Sequence, residues 1–376
     1  MRDHEVRERV ATPLELLFDL CFVVAVAGLA AELDHGIVDG HALDAAATYA
    51  LLFVPIWWAW MSYTWYATAF SHDDALTRLL TLLQMGGVLA VAAAIPTAWE
   101  GDLLPFSLAY AAMRLPLIAQ WIRSARDDSA HRAFAVTYAS GSVLAQVLWV
   151  AGAALPSAAT AAFFAAALAT ELATPVLAVR RSPDRVFHPG HIAERYGLFT
   201  IIVLGETILA VSVGLREALD GEGELGSAPV IVVAALTIAF GLWWIYFDAL
   251  GRDGLTRNRR AAFLWGYGHY ALYAAVAAIG AGIQAQLHLA HADQGVGPLV
   301  PVAAVALPVA VSLAAIAWLQ HAANGQASEA IWLYLGAAMA LAPLPLSGLL
   351  SPATADVFLA LVVVALVARI RRPPRR

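Results

Sequence analysis

The sequence predicts an all-α polytopic membrane protein with about twelve transmembrane helices in two parallel six-helix repeats. Composition is the first reason. Of 376 residues, 61% are hydrophobic and 13% charged, with a mean hydropathy of +0.71, values outside those of soluble domains. The second reason is length, because the apolar runs reach the roughly 20 residues that a helix needs to cross a hydrocarbon core of about 30 Å. The third is an internal match at an offset of 186 residues.

In order, the runs cover 14–33, 43–67, 77–97, 103–122, 133–153, 158–179, 194–214, 228–250, 260–284, 298–320, 329–348 and 353–370, separated by loops of turn-forming residues. They are apolar on nearly all faces and too long for strands, and in lipid a helix satisfies its own backbone. The first run carries Glu15 and Asp19 and lacks a small-residue cleavage motif, so it is expected to be retained rather than removed as a signal peptide. Its Cys21 is the single cysteine of the chain, cannot form an internal disulfide, and reads as a small buried hydrophobe. The second and eighth runs hold tryptophan pairs, Trp57 with Trp58 and Trp243 with Trp244. With Trp60, Tyr63, Trp65 and Tyr66 they read as an aromatic belt near the cytoplasmic ends.

Orientation follows from the basic residues, which are all arginines. Arg2, Arg7 and Arg9; Arg78; Arg123, Arg126 and Arg132; Arg180, Arg181, Arg185 and Arg195; Arg252, Arg257, Arg259 and Arg260; and Arg369, Arg371, Arg372, Arg375 and Arg376 fall on one side of a twelve-helix arrangement. Arg216 is alone in an opposite loop. The positive-inside rule then puts both termini in the cytoplasm. A net charge of -6 and short arginine clusters give no surface for nucleic acid.

The repeat aligns Trp57 and Trp58 with Trp243 and Trp244, and Gly28, Leu29 and Asp34 with Gly214, Leu215 and Asp220. Two halves follow, 1–186 and 187–376, each with six helices. An even number per half makes both enter from the same side, about an axis along the membrane normal.

Ionisable groups inside these runs are the candidate site. Glu206, in "ERYGLFTIIVLGETILAVSVGL", is about 15 Å from the start of its span near Tyr196, close to the midplane. Glu15, Asp19, Arg114, Glu171, Asp248 and His269 belong to the cytoplasmic half, and Glu15 and Asp19, four apart, share a helix face. Each costs roughly 2.5–3.5 kcal/mol at a helix centre, so they are expected to face protein. Arg114 is expected within ion-pair reach of Asp19, Glu171 or Glu206, either as a lock between helices or as part of an ion or proton relay. "HPGHIAE" places His188, His191 and Glu194 three apart, but Pro189-Gly190 argues against a continuous helix there and no metal site is expected. His191, Glu194 and Arg195 read instead as polar groups starting the seventh helix, Glu194 complementing its dipole. His288 and His291 read as interfacial histidines. Gly205 and Gly197 form a small-residue face that would let another helix approach.

Together "TPLELLFDLCFVVAVAGLA", "HPGHIAERYGLFTIIVLGETILAV", "WWIYFD" and "GYGHYALYAAVAAIGAGI" resemble the bacterial low-temperature-requirement A (LtrA) family of integral membrane proteins. The resemblance implies a bacterial cytoplasmic (inner) membrane protein and carries over Glu15, Phe18, Asp19, His191, Glu194, Arg195, Gly205, Glu206, Trp243, Trp244, Asp248 and His269 as motif positions. Separately, "LFDLCFVVAVA" is similar to the phenylalanine-serine-aspartate signature on the first helix of a potassium channel family built from six-helix repeats. That similarity implies a helix-positioning role for Asp19, although Leu17, Phe18 and Pro13 depart from its pattern.

Three functions are open to such a chain. The first is a transporter or channel whose buried carboxylates and Arg114 relay an ion or proton. The second is a membrane-embedded lipid-active enzyme using Glu206 or His269 as acid or base. The third is a non-catalytic regulatory membrane protein. Short loops without a catalytic domain favour the first. The expected partners are the lipid bilayer and a small ion or small-molecule substrate. A homodimer is compatible, and the residues name no cofactor.

Overall fold

A computed structural model of the chain describes residues 10–70, 72–155, 157–182, 187–220, 226–249, 259–291, 297, 299–324, 328–348 and 350–370. Arg2, Arg7, Arg9, Arg185, Arg252, Arg257, Arg371, Arg372, Arg375 and Arg376 lie outside the described residues. All regular structure among the described residues is helical: α1 Pro13–Val38, α2 Ala42–Ala69, α3 Ala75–Ala93, α4 Ile95–Trp99, α5 Leu103–Asp127, α6 Arg132–Ala154, α7 Ser157–Arg180, α8 Pro189–Asp220, α9 Ala228–Ala249, α10 Arg259–His291, α11 Leu299–Asn324, α12 Glu329–Leu341 and α13 Pro352–Ile370.

Eleven of these are long and apolar enough to cross a membrane. The run expected over 329–348 differs from the sequence reading. Its helix α12 has 13 residues, about 20 Å at ~1.5 Å per residue, short of the hydrocarbon core. Pro343 and Pro345 explain the stop. Neither can continue the hydrogen-bond ladder, and the chain passes into a 3-10 turn, Leu344–Ser347, ended by Gly348 at φ 58°. A second correction concerns the start of α8. Pro189 tolerates a first helical turn because its missing N–H has no intrahelical acceptor there. The helix therefore begins at Pro189, and the His191 amide donates to His188 Nδ1 at 3.2 Å.

The chain forms two compact units, Met1–Gly28 with Pro55–Arg195, and Leu29–Val54 with Tyr196–Arg376. Inside the first, α3 packs on α5, α5 on α6 and α6 on α7. The aromatic side chains expected to form a belt on α2 are core instead: Trp57, Trp58, Trp60, Tyr63, Trp65 and Tyr66 are all buried. They cluster because Phe18 packs against Tyr63, at 3.9 Å between centroids, and Trp121 meets Tyr66 at 4.9 Å, so the rings fill the space between helices.

Inside the second unit, α10 packs on α11, α9 on α13 and α11 on α12. One close approach here is at Gly282, where a Cβ would collide with the Ala304 carbonyl. At Gly205 a Cβ would meet nothing within 4 Å, so this glycine does not admit the helix contact expected of it. The tryptophan pair of α9 also differs from that of α2, since Trp243 is exposed.

Candidate functional site

Four ionisable side chains meet in the first unit, where the opening turns of α1 and α8 come together. Spacing explains the assembly: Glu15 and Asp19 are four apart on α1, His191 and Arg195 four apart on α8, so each pair projects from one face. All four side chains are buried, Asp19, His191 and Arg195 with no exposed surface. Arg195 bridges the two carboxylates, its Nη2 at 2.6 Å from Asp19 Oδ1 and its Nη1 at 3.2 Å from Glu15 Oε1. His191 Nε2 approaches Glu15 Oε1 to 3.3 Å.

Helix α2 supplies the neutral partners. Trp60 Nε1 donates to Asp19 Oδ1 at 2.7 Å, and the Tyr63 ring lies under the Arg195 guanidinium, 5.8 Å from centroid to Cζ. That face-on placement is a cation–π contact, which strengthens on desolvation. Thr68 Oγ1 donates to the Thr64 carbonyl at 2.9 Å and stands 2.8 Å from His191 Nδ1. A threonine has one hydroxyl hydrogen. With it directed to Thr64, the His191 Nδ1–H donates to Thr68, and Nε2 faces the Glu15 carboxylate.

The lower edge of the cluster is tied by the chain itself. Glu15 Oε2 accepts from the Thr12 amide at 2.7 Å and its hydroxyl at 2.9 Å, a cap of the first turn of α1. Glu194 Oε2 accepts from the Ala11 amide at 3.3 Å, so Glu194 anchors the entry to α1 and stands apart from the ion pairs.

Charge bookkeeping marks the site as unusual. Two carboxylates and one guanidinium leave one negative charge, and taking charges out of water costs several kcal/mol each unless they are neutralised. Among the described residues Asp19 Oδ2 and Arg195 Nε have no hydrogen-bond partner, so polar capacity is left inside the cluster.

The remaining candidates are distributed. Glu171 on α7, also in the first unit, is buried and accepts from Tyr110 Oη at 3.2 Å to each oxygen and from Gln146 Nε2 at 3.1 Å. Arg114 differs from expectation: its Nε and Nη1 are buried without hydrogen-bond partners among the described residues, and its Cζ stands 6.0 Å from the Tyr110 ring centroid. Among the described residues no carboxylate forms an ion pair with it. Tyr110 touches both groups, its ring facing the Arg114 guanidinium and its hydroxyl donating to Glu171.

In the second unit His269 is saturated by neutral partners, Nδ1 at 2.8 Å from the Trp265 carbonyl and Nε2 at 3.0 Å from Tyr246 Oη. Rings of Tyr196, Trp265 and Tyr273 surround it at 4.7, 4.2 and 5.3 Å. Asp248 is exposed and accepts from Trp244 Nε1 at 2.8 Å, one turn back. Glu206 is half-buried on α8, and among the described residues nothing hydrogen-bonds its carboxylate. His288, read from sequence as interfacial, pairs with the buried Asp34 at 3.2 Å.

Sequence reasoning placed Arg195 in a topology cluster and in the polar motif at the start of its helix, without pairing it to α1. The missed signal was the four-residue spacing of His191 with Arg195, which equals that of Glu15 with Asp19. Trp60 and Tyr63 carried only the signal of an aromatic belt, and Thr68 none beyond its apolar run.

Comparisons with known proteins bear on the whole chain. The family model described as "Bacterial low temperature requirement A protein (LtrA)" matches residues 10–368. An uncharacterized protein of Rhizobium meliloti (strain 1021) is 29% identical over 287 residues, 72% of this chain and 68% of the relative. All of the residues in the ion-pair cluster fall within the matched span.

Proposed function

Because this chain belongs to the bacterial low temperature requirement A family, a family of multi-pass membrane proteins, we propose that it is an inner-membrane transporter or channel. Its Glu15–Asp19–His191–Arg195 cluster handles a proton or small ion. The observation that carries this reading is the bridged cluster itself: Arg195 within 2.6 and 3.2 Å of two buried carboxylates, with His191 at 3.3 Å from one of them. A purely structural bundle gains little from such an arrangement, since well-packed apolar residues of similar volume serve stability as well or better.

The cluster works as a charge balance. With a proton on both ring nitrogens, His191 and Arg195 together set two positive charges against two negative ones, and the His191 Nε2–H meets Glu15. Loss of that proton leaves a net negative charge in a low-dielectric space, which draws in a cation or another proton. A group that gains and loses charge in this way couples proton movement to the position of α1 against α8. Glu171 beside Arg114 and the unpaired Glu206 are further polar stations in this reading. Asp248 and His269 serve helix ends and packing.

The same reading keeps both termini in the cytoplasm, supported by the arginine distribution, with α12 and the turn after it together completing the twelfth crossing over 329–347. It keeps 1–186 and 187–376 as parallel six-helix repeats, supported by the offset of 186 residues.

The test is ion flux into vesicles holding purified protein, read against internal and external pH. Flux is expected to depend on pH, and His191→Gln, which retains a hydrogen-bonding side chain but cannot titrate, is expected to flatten that dependence. Absence of flux for protons, alkali cations and halides would overturn the proposal, as would a pH profile unchanged in the variant.

A further inference from the structure

A groove of about 840 Å³ runs along the outer side of α5 and α6 in the first unit, and Arg126 and Arg132 stand at one end of it. Beyond them its wall is apolar, formed chiefly by Val136, Val143, Leu144 and Val147. From Arg132 to Val147 the groove follows 15 residue steps of α6, about 22 Å at ~1.5 Å per residue. Half a hydrocarbon core is about 15 Å, so this length matches one leaflet together with its headgroup layer.

The two arginines are left without acidic partners by their neighbours. Asp74 is taken by Arg123, whose Nη1 donates to Oδ1 at 2.9 Å, and Asp127 lies 3.3 Å from Arg123 Nε. Asp128 is 2.7 Å from His131 Nδ1 and also accepts the amides of Ala130 and His131. Among the described residues no carboxylate forms an ion pair with Arg126 or Arg132. Arg132 is instead oriented by its own helix junction, Nε donating to the Ala125 carbonyl at 3.0 Å, which leaves its terminal nitrogens available at the groove.

We propose that this groove binds one anionic glycerophospholipid of the bilayer, its phosphate between Arg126 and Arg132 and an acyl chain along Val136, Val143, Leu144 and Val147. Charge complementarity selects the headgroup: a cationic end on an apolar, leaflet-deep channel fits a lipid that carries net negative charge better than a zwitterionic one. The last turn of α5 and the first turn of α6 bring the two arginines to the same groove. This assignment is independent of any transport function.

The experiment is titration of delipidated full-length protein in detergent with phosphatidylglycerol or phosphatidylcholine of identical chains, followed by native mass spectrometry. Wild type is expected to prefer phosphatidylglycerol. Each arginine near an anionic lipid contributes on the order of fivefold, so R126Q/R132Q is expected to lose roughly 25-fold in phosphatidylglycerol binding and little for phosphatidylcholine. Val143→Trp, which fills the channel, is expected to lower binding of both lipids. If the double variant is not monodisperse, Arg126→Gln alone is read, with a loss of about fivefold. Equal binding of the two lipids by wild type, or a preference that survives the arginine substitutions, would overturn the assignment and leave only annular lipid.

Discussion

Replacing Arg195 by methionine keeps a long apolar stem but removes the one guanidinium that serves both Asp19 and Glu15. Nothing else in the cluster can take its place: Trp60 already donates to Asp19, and His191 reaches only Glu15. Breaking a buried pair by removing one partner costs about 3–5 kcal/mol, because the remaining charge stays buried. Asp19→Asn is milder, since Arg195 retains Glu15 at 3.2 Å and the amide oxygen can still accept from Trp60; about 1–3 kcal/mol is expected. In the double variant the methionine no longer abandons an aspartate, so the losses are expected to fall short of additivity by about 1–3 kcal/mol. Equilibrium unfolding by dodecyl sulfate in mixed micelles measures all three. The control is Arg78→Met, whose partner Asp73 is solvent-exposed at 2.8 Å, and which is expected to cost at most about 1 kcal/mol. A loss for Arg195→Met no larger than that of Arg78→Met, or a coupling within about 0.5 kcal/mol of zero, would refute the reasoning.

Tyr110→Phe strips the hydroxyl that reaches both oxygens of Glu171; the same titration should show a loss of about 1–3 kcal/mol, and a neutral result would mean that Gln146 alone suffices. Gly282→Ala should destabilise by about 1–3 kcal/mol because the new Cβ meets the backbone carbonyl of Ala304. Gly205→Ala, opening onto free space, should be neutral or stabilising by up to about 1 kcal/mol; the reverse order of melting temperatures would contradict the packing described. At the start of α3 the Arg123 guanidinium, followed by the Thr77 amide, holds the Asp74 carboxyl well below its ordinary value of 3.8. A depressed carboxylate contributes stability above its ordinary value and loses it only as pH falls through the lowered one. Hydrogen exchange at the Thr77 amide should therefore stay slow as pH drops past 3.8, and opening near pH 4 would be the contrary result.

Helix existence was legible in the sequence because lipid imposes a single requirement, an uninterrupted apolar run of sufficient length, and eleven runs meet it. The run over 329–348 failed because hydropathy does not register backbone hydrogen bonding, which Pro343 and Pro345 interrupt. Burial of the α2 aromatics was also hidden. Tryptophan at a helix end satisfies an interfacial belt and a packed core equally well, and only the neighbours Phe18 and Trp121 decide between them. For the charged groups, depth along a helix was readable but rotation about it was not. Arg114 and Arg195 show the difference. The first has depth, and finds a ring face instead of a carboxylate. The second lies at a helix start among other arginines, which suggested a soluble topology signal, yet its spacing from His191 turns it toward α1.

The Arg195–Asp19 bond joins residues 176 positions apart, and this separation bears on how the protein is made. At about 5–20 residues per second, the ribosome adds Arg195 some 9–35 s after Asp19. Throughout that interval α1 has its carboxylates but not their countercharge. The nascent first helix must either wait at the water-facing edge of the insertion machinery or borrow neutrality from protons until α8 emerges. A chain halted at residue 186 would never receive the arginine. The early half of the gene therefore encodes a product that cannot complete its own charge balance, and separately expressed halves should be recovered together or not at all.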